Sequence, residues 1–320
     1  MAGIESYAYL GDNVECIQRS DASGTYRVVG AAGQGMLAIN EIMPGVILTY
    51  SDFAHVDSVL SDFQINNGSR MLVLDYCLEG RIEWSLAEDN ALCLGAGDLG
   101  VDNRSVHQHP YTFPLGYYRG ISLGFEIEEA RESLDRLSPK GFPVDLGELR
   151  DAFCGSGSPF VFRSEPAFSH IFGEMHNAPE RYRETYLGLK TIEALLALGQ
   201  RMPESPARER NYLRMSQVDK VHAIRDLIVS DPSARITLEE LSRRFEFPYA
   251  SMQKCFREVY GTSIHAYVKR YRMSQAAVLL RESDLPIAEI AQRMGYANPS
   301  KFSAAFREAT GHLPTTYRAG

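Results

Sequence analysis

Two sets of residues in this 320-residue chain have types and spacings suited to chemistry. The first is the pair His107 and His109, one residue apart, with His55 far upstream; imidazoles so arranged are ligands for a first-row transition metal. The residues after them, PYTFPLGYYRG, bring no carboxylate at ligand distance, so the set stays incomplete and neither a metal nor another cofactor is expected. The second set lies near the C-terminus: Tyr249, Ala250, Gln253 and Lys254, then Asn298, Ser300, Lys301, Ser303 and Ala304. Presented on the outward face of helices, these residues read base edges. A glutamine amide pairs bidentately with adenine, a lysine donates to guanine, and an alanine offers apolar contact to a thymine methyl. Arg257 and Arg307 are placed for phosphates, which position a protein on DNA without specifying sequence. There is no Ser/His/Asp grouping, P-loop or GxGxxG at a strand-to-helix turn, so no enzyme is expected.

Such residues need elements to position them, and an internal repeat supplies these. ITLEELSRRFEFPYASMQKCFREVYGTSIHAY, from Ile236 to Tyr267, returns as LPIAEIAQRMGYANPSKFSAAFREATGHLPTTY, from Leu285 to Tyr317, at an offset of 49 residues and then 50. Glu240 pairs with Glu289, Arg244 with Arg293, Phe256 with Phe306, Gly261 with Gly311 and Tyr267 with Tyr317. Each copy reads as a short helix, a tight turn and a second helix, the helix-turn-helix pattern. In the second copy Ile287, Ile290, Ala291 and Met294 form one apolar face, and Gly295 supplies backbone freedom for the turn. Asn298-Pro299 gives an N-cap followed by proline at the first helical position. Phe302 and Phe306, four apart, pack the next helix back onto the first. The first copy departs at two points, with Glu246 where Gly295 stands and Pro248 near the cap. Between the copies, Ser263 to Arg281 carries Ile264, Tyr267, Val268, Tyr271, Val278 and Leu279 at helical period. About 19 residues at ~1.5 Å each make a rod of about 30 Å, close to the ~34 Å pitch of B-DNA, so one chain can seat two recognition helices in successive major grooves.

The charge distribution agrees. Residues 216–320 hold 15 Lys+Arg against 11 Asp+Glu, a net of +4, and the other 215 residues hold 18 against 30, a net of -12 within the total of -8. A basic end on an acidic chain suits an anionic partner for that end alone. Five cysteines, odd in number, scattered and without a CxxC pair, argue against a disulfide framework or a zinc site. No apolar run approaches a membrane span and the first twenty residues lack a secretory layout, so a cytoplasmic protein is expected.

Ahead of the repeat the texture is different. Residues 1 to about 125 read as short strands (Tyr26–Val29, Met36–Ile42, Val46–Tyr50, Met71–Tyr76, Arg81–Leu86, Tyr117–Phe125) punctuated by glycine and proline turns, which predicts a β-sandwich or small barrel. From Glu126 amphipathic helices follow over Ile127–Leu137, Leu146–Phe153, Glu165–Met175 and Arg181–Gln200. RMPESPARER, from Arg201 to Arg210, reads as a linker. The domain plan is therefore a β domain at 1–125, a helical segment at 126–200, a linker at 201–215 and an all-α domain at 216–320. Within the last, the helix-turn-helix pairs occupy about 236–260 and 286–310 and the connecting helix about 263–281.

The run YVKRYRMSQAAVLL, from Tyr267 to Leu280, and the signature IAEIAQRMGYANPSKFSAAFREATGHLPTTYR, from Ile287 to Arg318, resemble the DNA-binding domain of the AraC family of bacterial transcription regulators. The resemblance covers about a third of the chain. It implies double-stranded promoter DNA and RNA polymerase as partners, a homodimer, and an activator. The β-rich region followed by helices is similar in architecture to that family's cupin-like sensing and dimerisation part, giving an α+β multidomain fold with a β-barrel or cupin-like domain, controlled by a small-molecule effector. Members often carry a long polar residue where Ala304 stands, so the second copy is expected mainly to grip the backbone. Tyr50, Arg70, Tyr76 and Trp84 are the effector candidates, on strands whose inward face the sequence does not assign. Along Arg181–Gln200, Tyr186, Leu189, Ile192, Leu195 and Leu196 are the dimer-interface candidates. Two alternatives stay open: a cupin metalloenzyme fused to a DNA-binding domain, using His55, His107 and His109, and an effector-independent dimeric DNA-binding protein.

Overall fold

The computed structural model describes residues 14–29, 33–54, 58–59, 70–86, 89–104, 107–137, 140–155, 159–203 and 212–319. The chain divides into two compact units at Leu213/Arg214. Among the described residues of the first, ten strands precede the first helix: β1 Val14–Arg19, β2 Ser23–Val29, β3 Gln34–Met43, β4 Val46–Ala54, β5 Ser58–Val59, β6 Met71–Leu86, β7 Asn90–Gly95, β8 Leu99–Asp102, β9 His107–Thr112 and β10 Tyr117–Glu126. α1 Ile127–Asp135, α2 Leu146–Cys154, β11 Phe160–Phe162, α3 Pro166–His176 and α4 Arg183–Gly199 follow, and a two-residue strand, β12 Leu213–Arg214, lies at the division.

The main hydrogen-bonded path runs β1-β2-β3-β4-β10-β6-β7, with β8 and β9 also on β6, and the strand pairs are antiparallel. The sequence predicts a β-sandwich or small barrel; the described sheet does not close on itself, so the barrel form of that expectation is not met. β1 pairs with β2 and shows a mostly exposed side-chain pattern, so it has no apolar face on which closure could be built. A second difference concerns β6. The sequence suggests two strands with a turn at Glu79-Gly80, but one 16-residue strand passes through. Gly80 takes φ +80°, and a Cβ there would lie 2.3 Å from the Tyr117 carbonyl oxygen, so this glycine bends the strand instead of reversing it. The half before the bend pairs with β10 and β8, and the half after it with β7 and β9.

Period-two alternation gives the sheet two faces. Val46 and Leu48 of β4, Leu72, Leu74 and Tyr76 of β6, and Ile121, Leu123 and Phe125 of β10 pack against Leu149, Phe153, Phe168, Phe172, Leu187 and Leu195 of the helices. Asp145 caps α2 by accepting from the Glu148 amide, and Pro166 opens α3 at a position where a missing N–H costs nothing. β11, inside the segment expected to be helical, pairs with β8 through Phe160–Phe162, a run too short to give a sequence signal. The opposite face of β4, β6 and β10 belongs to a second cluster containing Phe53, Cys77, Trp84, Tyr111, Phe113 and Tyr118. Burial pushes the Cys77 thiol up to about 12.

The second unit is helical: α5 Met215–Ser230, α6 Leu238–Arg244, α7 Tyr249–Tyr260, α8 Ile264–Glu282, α9 Ile287–Arg293, α10 Pro299–Thr310 and α11 Pro314–Ala319. Met273, Ala276 and Leu280 of α8 share one core with Ile290, Ala291, Met294, Phe302 and Phe306. In the earlier copy Leu241, Phe247, Met252 and Phe256 are buried, as are Val221 and Ile224 of α5. Both second helices end on a left-handed glycine, Gly261 at φ 72° and Gly311 at φ 79°. Among the described residues no helix is long and apolar enough to cross a membrane.

Candidate nucleic-acid interface and sheet-face cavity

The face of β4, β6 and β10 turned away from the helices borders a cavity of about 140 Å³. One wall is aromatic: Phe53 stacks on Phe113 at 5.0 Å between ring centroids, and Phe113 on Tyr118 at 5.5 Å. Trp84 meets Tyr111 edge-on at 6.1 Å on another side. At the polar end one Arg104 guanidinium nitrogen donates to both oxygens of Asp75, 2.7 Å each, and the Ser122 hydroxyl donates to Asp75 Oδ1 at 2.6 Å. Arg104 Nη1 donates to the Tyr111 hydroxyl at 3.4 Å, and its Nε faces Asp102 at 3.7 Å. Burial alone would lower the Arg104 pKa, but Asp75, Tyr111 and Asp102 raise it, so the cation is held; burial raises Tyr111 and Tyr118, which stay neutral. Arg104 itself sits at φ 59°, a left-handed conformation that a non-glycine residue adopts only where its surroundings enforce it.

In the helical unit, α6-turn-α7 and α9-turn-α10 are two copies of one arrangement. The turn of the second is made by Gly295 at φ 75°, and that of the first by Glu246 at φ 47°. The backbone bonds correspond: Phe247 N–H donates to Ser242 O at 3.0 Å, and Tyr296 N–H to Ala291 O at 2.9 Å. Lys220 donates to the Glu246 carbonyl at 3.0 Å. Asn298 Oδ1 accepts from the Ser300 and Lys301 amides at 2.8 and 3.3 Å, which fixes the start of α10. On α7, Tyr249, Ala250, Lys254 and Arg257 are exposed and Gln253 is half-buried, its Nε2 3.4 Å from the Tyr249 hydroxyl. On α10, Ser300, Lys301, Ala304 and Arg307 are exposed and Ser303 is half-buried. Both helices thus present an outward polar face near their N-termini, the geometry that enters a major groove. Arg272 of α8 is committed elsewhere, donating to the Ala234 carbonyl at 2.7 Å, and Lys269 pairs with Glu308 at 2.7 Å.

Residues 241–320 match a family model described as a helix-turn-helix domain. The chain is 25% identical over 252 residues to the Msm operon regulatory protein of Streptococcus mutans, covering 77% of this chain and 83% of that protein. It is 27% identical over 299 residues to the arabinose operon regulatory protein of Escherichia coli K12, covering 87% and 93%. The C-terminal unit is an AraC-type DNA-binding domain of transcription regulators. Among solved structures, the C-terminal domain of AraT, a response regulator from Geobacillus stearothermophilus, is similar at 32% identity over 31% of this chain and 84% of that one, with a TM-score of 0.30.

In this AraC-type chain the effector candidates scatter. Trp84 lines the cavity. Tyr50 and Tyr76 do not: Tyr50 turns to the helical layer and donates to the Met175 carbonyl at 3.0 Å, and Tyr76 stacks on Phe172 at 4.8 Å. Both occupy the β4 and β6 register opposite to that of the cavity residues, because alternation sends neighbours to opposite faces. Arg70 is exposed and outside the lining. Sequence reasoning missed Asp75, Arg104 and Ser122; the one available signal was an aspartate within the apolar run MLVLDYC, where a lone carboxylate needs a buried partner. Of the dimer candidates, Leu195 is fully buried in its own chain's core and is unavailable to a partner; Tyr186 and Ile192 pack partly on that core, and Leu189 and Leu196 are exposed. His55 and the side chains of His107 and His109 lie outside the described residues; among those described, no group of three or more His, Cys, Asp or Glu could hold a metal.

Proposed function

We propose that this AraC-type regulator is a sequence-specific, effector-controlled protein of the cytoplasm, without catalytic activity, whose N-terminal unit is a cupin-like sensor and whose C-terminal unit binds promoter DNA. The observation that carries the effector reading is the cavity on this sheet face, with largely apolar and aromatic walls and one buried ion pair at its end. Cavities of that composition are where small molecules bind. The strained Arg104 backbone beside it is the kind of feature retained for function. An effector that prefers one arrangement of the sensor shifts the population of DNA-competent protein, and in the activator sense its contact with RNA polymerase.

Gln253 and Lys254 read bases from α7, Tyr249 and Ala250 contact the groove, and Arg257 and Arg307 meet phosphates. The second copy, with Ala304 and the small Ser300 and Ser303 beside Asn298 and Lys301, grips the backbone more than it reads. Residues 126–200 form the dimerisation segment and residues 201–215 the linker to the DNA-binding domain. Leu189 and Leu196, seven residues apart, are exposed on α4, with Tyr182 seven before, and this stripe forms the homodimer contact.

The deciding experiment titrates the full-length chain against the DNA upstream of its own gene at two salt concentrations. Specific retention that weakens with salt is expected. Gln253→Ala should lose about 1–3 kcal/mol of discrimination at one base pair, whereas Arg257→Ala should weaken all sequences alike. Val73→Trp fills the cavity and should leave DNA binding intact while abolishing any effector response; retained response would overturn the cavity assignment. Leu189→Glu combined with Leu196→Glu should sediment as a monomer, and an unchanged dimer would refute that interface.

A further inference from the structure

The helical unit repeats itself, so each copy shows what the other has given up. Phe256 corresponds to Phe306 and Gly261 to Gly311, which sets Lys254 against Ala304 and Ser263 against Leu313. The last pair is equivalent in the backbone as well: the Tyr267 N–H donates to the Ser263 carbonyl and the Tyr317 N–H to the Leu313 carbonyl, at 2.9 Å each. Both residues therefore open the helix that follows, α8 in one copy and α11 in the other. Ser263 caps its helix, the hydroxyl accepting from the Ala266 amide at 3.3 Å. A leucine side chain has no oxygen to offer, so α11 starts without that bond.

Burial does not make up for the lost cap. Tyr249, Val278 and Leu313 are the large apolar side chains that stay exposed among the described residues of the helical unit, Leu313 at 45%. Tyr249 lies on the outward face of α7. Leu313 lies beside the corresponding face of α10, where it borders an open hollow with Ser300, Ser303, Ala304 and Arg307. The hollow sits where the second copy has the single methyl of Ala304 in place of a lysine chain. The two exchanges between the copies, Lys254 for Ala304 and Ser263 for Leu313, are thus neighbours in space. A residue that gives up a cap and keeps an apolar side chain in water breaks two local rules at once, as a side chain does when it serves a partner and not the fold. Place decides the partner. α10 presents this face to a major groove, and the apolar group that duplex DNA offers there is the 5-methyl of thymine. Arg307, exposed in the same hollow, supplies the phosphate contact that holds the groove against it.

We propose that Leu313 is a base-reading residue of the second copy: with Ala304 it forms an apolar seat for one thymine methyl, in place of the polar readout that Ala304 is too short to give. This rests on the reading of α10 as a helix that enters the groove.

The test titrates the full-length chain against the duplex it retains from upstream of its own gene or, failing retention there, against a duplex that it selects from random DNA. Each thymine is replaced in turn by deoxyuridine, which removes the methyl alone. At one thymine the replacement should weaken binding about fourfold, the equivalent of ~0.8 kcal/mol for one buried methyl. Leu313→Ser should weaken the thymine duplex by a similar factor and no longer distinguish it from the uracil one. The same variant regains the cap, so its melting temperature should hold or rise, whereas loss of a side chain needed only for folding would lower it. Leu313→Ala, which regains no cap, carries the binding comparison if the serine variant does not fold. If no thymine penalty disappears in these variants, or if binding falls together with the melting temperature, the assignment is overturned. Arg307→Ala then tells the two readings apart: weakened binding to all sequences means that α10 does enter the groove and Leu313 alone is dismissed, and unchanged binding means that the placement of α10 falls as well.

Discussion

At the turn between its two helices, the first helix-turn-helix copy places Glu246 at φ 47° where the second places Gly295 at φ 75°. The first copy fixes the start of its short helix with a capping box, Thr237 accepting from the Glu240 amide while the Glu240 carboxylate accepts from the Thr237 amide. The second has Pro286 there with no side-chain cap, and instead fixes the start of its outward helix with Asn298, where the first has Pro248 and no cap bond. The same backbone is thus secured at different points. What the copies share is the aromatic core and the terminal glycine, and these carried the repeat through the sequence.

The largest test of whether they are separate bodies is the loss of one core ring. Phe256 and Phe306 are both fully buried, the former packed on Tyr260 and Tyr267 and the latter on Phe302 and Tyr317. Phe256→Ala or Phe306→Ala should each cost about 3–5 kcal/mol. Amide hydrogen exchange of the full-length chain locates the loss: protection falling in the altered copy alone means independent cores, and an equal fall in both means one cooperative unit.

A smaller effect separates the two turns. Gly295→Ala puts a Cβ 2.8 Å from the Ser233 carbonyl oxygen at a left-handed position, and should cost about 2 kcal/mol. Thermal melting followed by helical circular dichroism reports it, and a change below a few tenths would mean that the loop holding Ser233 gives way freely.

The caps come next, at about 1 kcal/mol each for Thr237→Ala and Asn298→Ala. They differ in pH dependence. Hydrogen bonds from the Thr237 amide and then its hydroxyl hold the Glu240 carboxyl below its ordinary value. A carboxylate with a depressed folded pKa stabilises above its unfolded pKa and loses that contribution as pH falls through the folded one. The Thr237→Ala penalty should therefore shrink below pH of about 4, whereas the Asn298→Ala penalty, with no titrating group, stays constant. Parallel denaturation at neutral and acid pH checks the difference.

What could be read from the sequence follows the same division between repeated signal and isolated geometry. Four amphipathic segments after Glu126 became α1 to α4 with ends shifted by at most two residues, because an apolar stripe over two or more turns is a redundant signal. Asn298-Pro299 and Gly295 declared the second copy's turn and cap chemically. The strands Asn90–Gly95 and Leu99–Asp102 were missed, being short and buried on both sides, with no alternation to detect. The cavity was illegible for a different reason. Tyr50 and Thr49 are equally good strand residues, and only the register of β4 against β10 and the layer of helices on one face decide that Thr49 looks into the cavity and Tyr50 away from it. Asp75 and Arg104 stand 29 residues apart, and no local pattern joins them.

The smallest prediction returns to the turn of the first copy, where the sequence was least regular. The left-handed backbone at Glu246 costs a non-glycine residue about 1 kcal/mol or more, and a glycine there would recover it less the extra freedom it gives the unfolded chain, about 0.5–1 kcal/mol. Lys220 bonds the backbone carbonyl and not the side chain, so that contact survives the exchange. Glu246→Gly should therefore raise stability by about 0.5 kcal/mol, read as a rise in the melting temperature of the helical unit. A rise would mean that the copies differ at this position only in how they meet one backbone requirement. A fall would mean that the Glu246 carboxylate makes a contribution of its own, one that the second copy, with no side chain at Gly295, has never had.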